Sequence, residues 1–141
     1  MEPSKKHSPA SEVGHVVEVT AASEHLEAVH ATLAHFWTGL DAPPDEHWRL
    51  LFEVAVSEIA ANIVEHAQPP VMIFRLTCRN GRVVAEFQDS GSGWSSRPGP
   101  AEVLDELAER GRGLAMARTA VDEVAYKRVG TVNLWRLIKQ L

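Results

Sequence analysis

Apolar and polar positions alternate in two rhythms along this chain, and each change of rhythm marks a new element. "HVVEVTA", His15 to Ala21, is rich in β-branched residues and predicts a strand. Ser23 is of the helix-capping type, and after it "EHLEAVHATLAHFWTGL" sets Leu26, Val29, Leu33 and Phe36 at helical spacing. Gly39 and the Pro43-Pro44 pair interrupt that helix, and Pro44 suits the opening of the next. The second helix, about Asp45 to Ala67, carries Phe52, Val56, Ile59 and Ile63 along one stripe, which predicts packing on a sheet. Pro69-Pro70 stops it. "VMIFRLTCR" and "RVVAEFQD" read as strands joined by Asn80-Gly81, the strongest short hairpin signal. A polar segment punctuated by Pro and Gly follows Trp94. "LAMARTAVDEV" then predicts a helix, and strands follow near Glu123 to Arg128 and Thr131 to Lys139.

The order is therefore β-α-α-β-β-(lid)-α-β-β. Hairpin-joined strands in sequence predict a mixed, mostly antiparallel sheet with helices on one face: an α+β protein built as a two-layer α/β sandwich. A doubly wound parallel sheet would need strands and helices to alternate, and they do not. Residues 1–13 read as a disordered leader and 14–141 as one domain, with a lid at about 94–111.

Composition narrows the setting. A chain of 141 residues suits one domain with a substantial core, and 45% apolar with 23% charged residues is ordinary for a soluble protein. The net charge of −5, with no basic run, argues against direct nucleic-acid binding. Cys78 is the single cysteine, so no internal disulfide forms, and it reads as a small core residue in a reducing compartment. No apolar run reaches the roughly 18 residues a membrane span needs, and the start lacks a signal-peptide core; a cytoplasmic protein is expected. Trp37, Trp48 and Trp135 are expected in the core or at a dimer contact.

Polar residues inside the apolar second helix raise the first chemical question. Glu58, Asn62 and His66 fall at i, i+4 and i+8 and so share a stripe beside the apolar one. Glu53 and Glu65 read as a solvated helix edge. Glu58 and Asn62 stand among Ala55, Ile59, Ala60, Ala61 and Ile63, where a polar group needs a dedicated partner: a metal ion, a water or a ligand. "DSGSG", Asp89 to Gly93, and "GRG", Gly111 to Gly113, flank the lid, and the second precedes a helix whose free N–H groups suit an anion. A calcium loop is excluded at Asp89, because ligands at alternating positions and a closing Glu are absent.

"SEIAANIVEHA", "DSGSGW" and "GRGLAMARTAVDEV", in this order, resemble the Bergerat-type (GHKL) ATP-binding fold of gyrase, histidine kinases and MutL, and most closely its single-domain branch, the bacterial anti-sigma-factor serine kinases. The resemblance covers nearly the whole chain after the leader. It implies ATP and Mg²⁺ as cofactors, with Asn62 as the Mg²⁺ ligand and Glu58 as the catalytic general base. It implies that Asp89 accepts a hydrogen bond from the adenine amino group, that Gly91 and Gly93 floor the pocket and hinge the lid, and that Gly111, Gly113 and Leu114 hold the phosphates. His66 is either a phosphate neighbour or a polar helix end. Arg110 and Arg112 either meet the γ-phosphate or are solvated, and Thr131 resembles a strand residue that touches nucleotide. The implied activity is protein-serine/threonine kinase and anti-sigma factor, with a sigma factor or similar client, a STAS-domain anti-anti-sigma substrate, and a possible homodimer. The alternative is a nucleotide-gated binding regulator with little or no kinase activity.

Overall fold

The computed structural model describes residues 13–19, 24–67, 69, 71–91 and 114–141. Five strands form one sheet in the order β1-β2-β3-β5-β4, with β1 at Val13–Val19, β2 at Met72–Arg79, β3 at Arg82–Asp89, β4 at Glu123–Val129 and β5 at Val132–Gln140. Every described pairing is antiparallel. Helix α1 spans His25–Thr38, α2 spans Glu46–Asn62 and continues as a π-helical segment over Ile63–Ala67, and α3 covers 114–120. The α+β sandwich expected from the hairpin order is the fold observed.

Turn chemistry closes the two hairpins. Asn80 (φ 56°) and Gly81 (φ 75°) both take positive φ, as a two-residue type I′ turn requires, and this sets the register from Arg79↔Arg82 to Met72↔Asp89. Gly130 (φ 62°) opens the β4–β5 turn.

The sheet buries one face under the helices. Phe74, Leu76, Val83, Ala85, Phe87 and Leu137 are fully buried and meet the apolar stripes of α1 and α2. On α2 the expected stripe of Phe52, Val56, Ile59 and Ile63 is buried throughout, and Asp45 caps this helix, its Oδ1 accepting from the Trp48 N–H at 2.9 Å. Pro44 thus precedes the cap. On α1 the stripe is rotated from the one expected: Leu26 is 38% exposed and His25 is buried, because His25, Val29, Leu33 and Phe36 also follow helical spacing. Glu24, without a side-chain cap bond, occupies the N-cap position expected of Ser23.

Polar ties fix the layers. The Trp37 indole donates to Glu53 at 2.7 Å, so Glu53 is an interhelix acceptor rather than a solvated edge. The Trp48 indole donates to the Gln140 carbonyl at 2.8 Å and stacks on Phe52. Trp37 and Trp135 are core residues. Cys78 packs partly buried against the core, and burial pushes its thiol pKa up. No helix among the described residues is long and apolar enough to cross a membrane.

Candidate functional site

The C-terminal end of β3 carries the most polar part of the helix-facing side of the sheet. Alternation along β3 turns Val83, Ala85, Phe87 and Asp89 inward, so the series ends in a carboxylate that is only 4% exposed. Asp89 is opposite Met72 on one side and Asn133 on the other. Its Oδ1 accepts from the Gly91 N–H at 2.8 Å, an Asx turn, and from Asn133 Nδ2 at 2.9 Å. Its Oδ2 is buried without a hydrogen-bond partner among the described residues.

Asn133 carries this network into β4. Its Oδ1 accepts from the Tyr126 hydroxyl at 2.7 Å and from Arg128 at 2.8 Å. The Gly91 carbonyl accepts from Arg128 at 3.0 Å and from Asn133 Nδ2 at 3.2 Å. Both backbone groups of Gly91 are thus engaged in holding the chain at the exit of β3.

Helix α2 supplies the second group. Asn62, its last residue, is 9% exposed, and its Nδ2 has no partner. Glu58 lies one turn earlier and is half-buried. The α-helical spacing that would extend this stripe to His66 ends at Asn62, where the wider π turn begins; the His66 side chain is not among those described. Met72, five residues beyond Ala67 in the chain, is the β2 residue paired with Asp89.

Asp89 and Asn62 are thus two buried polar side chains that each keep an atom without a hydrogen-bond partner among the described residues. An unsatisfied buried group costs about 1–3 kcal/mol, so both call for a ligand. The fit to Mg²⁺ rests on the donor set. The described residues hold no cluster of three or more metal-ligating side chains. Mg²⁺ bound with nucleotide needs none, since phosphates and water supply most of its oxygens. An amide with no partner claiming its nitrogen can turn its oxygen to a cation, and on that ground Asn62 fits.

The other expected site residues fall as follows. Leu114 is buried in the core at the start of α3. Thr131 sits exposed in the β4–β5 turn, and the β5 residue that meets Asp89 is Asn133, two positions on. Gly93, Arg110, Gly111, Arg112, Gly113 and the lid lie outside the described residues, as does the leader through residue 12. A hollow of about 360 Å³ lies on the opposite, open face of the sheet between Arg75, Glu86, Leu134 and Arg136, and includes none of these groups.

Comparison with known proteins finds a family model and solved structures that match. The family described as histidine kinase-like ATPase domain matches residues 19–139. Among solved structures, the RsbU and RsbW domains of Rv1364c from Mycobacterium tuberculosis are similar, with a TM-score of 0.63 at 20% identity over 90% of this chain. That likeness is one of fold, and it spans 32% of the longer protein. No curated protein matches the sequence.

Proposed function

This chain belongs to the histidine kinase-like ATPase domain family, and from that premise we propose that it is an ATP·Mg²⁺-dependent protein-serine kinase acting as an anti-sigma factor. The observation that carries the reading is Asp89, a buried carboxylate with one oxygen saturated by donors and the other open. An open acceptor in a dry site suits the 6-amino group of adenine and disfavours the 6-carbonyl of guanine.

Asn62 would hold the metal through its amide oxygen, and the metal would supply charge neutralisation on the phosphates. Glu58, one helical turn away, takes the proton from a serine hydroxyl of the substrate protein as that oxygen bonds to the γ-phosphorus. The bond from the γ-phosphorus to the bridging oxygen breaks, and ADP leaves. The substrate is a STAS-domain anti-anti-sigma protein, and the client held in exchange is a sigma factor. Phosphorylation adds about −1.5 to −2 of charge to the substrate's contact surface, enough to switch which partner is held. Fold similarity to a protein that joins RsbU and RsbW domains supports this partner-switching role. The domain is read as running from residue 14 to 141, in the cytoplasm.

Incubation with [γ-³²P]ATP and a STAS protein encoded nearby tests the proposal. Label on a serine or threonine is the expected result. ATP binding without transfer refutes the kinase and favours a nucleotide-gated regulator.

A further inference from the structure

Asn133 belongs to no motif, yet four hydrogen bonds converge on its amide. The oxygen and nitrogen of an amide are distinguished by their partners. Arg128, whose guanidinium only donates, must face the oxygen, and the Gly91 carbonyl, which only accepts, must face the nitrogen. Tyr126 alone could not decide the orientation, since a hydroxyl both donates and accepts. The nitrogen is thereby turned toward Asp89, whose carboxylate only accepts.

We propose that Asn133, locked by Arg128, is the positioning residue for base selectivity. It fills Asp89 Oδ1 together with the Gly91 N–H, at 2.9 and 2.8 Å, so the carboxylate cannot rotate without breaking both bonds. Oδ2 is left as the buried oxygen with an unfilled valence, and it accepts only from a donor such as an exocyclic amine. With Arg128 removed, the Asn133 oxygen and the Gly91 carbonyl each lose a charged donor, so the amide and the turn that together hold Oδ1 are held less firmly. The inference rests on Asp89 as the base acceptor, and it adds residues that hold that acceptor in place. Arg128 is exposed at the hairpin end, so the fold tolerates its replacement.

Equilibrium binding of ATP and of purine riboside 5′-triphosphate, which lacks the amino group, tests the assignment on the full chain. Wild-type protein should prefer ATP by about ten- to a hundredfold, the worth of one charge-assisted hydrogen bond. In Arg128→Met and Asn133→Ala that preference should shrink toward unity, with the Arg128→Met melting temperature unchanged. A variant that binds both nucleotides more weakly but keeps the wild-type ratio overturns the inference, because Asn133 then acts on the fold alone. Wild-type protein that binds both nucleotides equally overturns the Asp89 reading and the inference with it. Wild-type protein that binds neither overturns ATP-dependent function itself.

Discussion

Asp89→Asn separates the fold from the site, because the two should respond with different signs. The new amide can keep its oxygen on the Gly91 N–H and Asn133 Nδ2, and its nitrogen takes the place of the open Oδ2. Two charge-assisted bonds become neutral ones, a loss of about 1 kcal/mol each. Against this, a buried carboxylate with an unfilled oxygen becomes a neutral amide, which relieves roughly 2 kcal/mol or more. The terms nearly cancel, so the melting temperature should move by less than about 5 °C. Binding should move far more. The adenine amino group now faces a donor, a loss of about 2–3 kcal/mol, while the 6-carbonyl of ITP gains a donor worth about 1 kcal/mol. The ATP:ITP affinity ratio should therefore swing by roughly two to three orders of magnitude. Titration calorimetry with both nucleotides reads the ratio, and a thermal melt reads the fold. Equal loss of both nucleotides, with a fall in melting temperature above about 10 °C, would show Asp89 to be a brace for the β3 end and refute the reasoning.

Three further substitutions test other links. Glu58→Gln should leave ATP affinity nearly unchanged while slowing phosphoryl transfer by about 10²–10⁴-fold in single-turnover assays; an unimpaired rate moves the base elsewhere. Asn62→Ala should abolish the Mg²⁺-dependent part of ATP binding, measured with and without EDTA, at a cost in stability below about 1 kcal/mol because the amide nitrogen has no partner to lose; retained Mg²⁺ enhancement removes its ligand role. Gly81→Ala should destabilise the protein by about 1–2 kcal/mol in urea, since φ 75° is strained for a side chain. Nucleotide affinity should stay constant in that variant, because the turn closes the end of β3 opposite Asp89.

Much of this arrangement was legible in the sequence because local rules and tertiary needs agreed. Asn80-Gly81 can form the turn it predicts without help, and the α2 stripe can pack only on an apolar sheet face. What escaped was decided by neighbours distant in sequence. His25 and Leu26 both satisfy helical spacing to Val29, and only the docking of α1 on the sheet selects His25 as the inward residue. Nothing in "NIVEHA" announces a π turn, so His66 was extrapolated along an α-helical stripe that stops at Asn62. Asn133 lies 44 residues from Asp89, and only the β3–β5 register brings them together. A signal existed all the same: Asn133 shares the inward series with Trp135 and Leu137, where a polar residue needs a reason.

The location of the site follows from unfilled valences rather than from shape. The hollow on the open sheet face is flanked by Glu86 with Arg75 and Arg136, at 4.0 and 3.2 Å, exposed pairs that already satisfy one another. A lone orphan is also insufficient: His15 Nε2 is buried without a partner, but its ring packs against Phe36 and His35 beneath α1. Asp89 and Asn62 differ because each is a buried polar side chain in an inward-facing series, on β3 and on α2, that is otherwise apolar. Replacing either with an apolar residue would have served the core better. Their presence costs stability that the empty fold does not recover, and a ligand offering a donor to one and a cation to the other recovers it at both positions. On the proposed function, a nucleotide carrying Mg²⁺ would offer both features in one molecule, and that reading places binding at these two residues rather than at the hollow on the open sheet face.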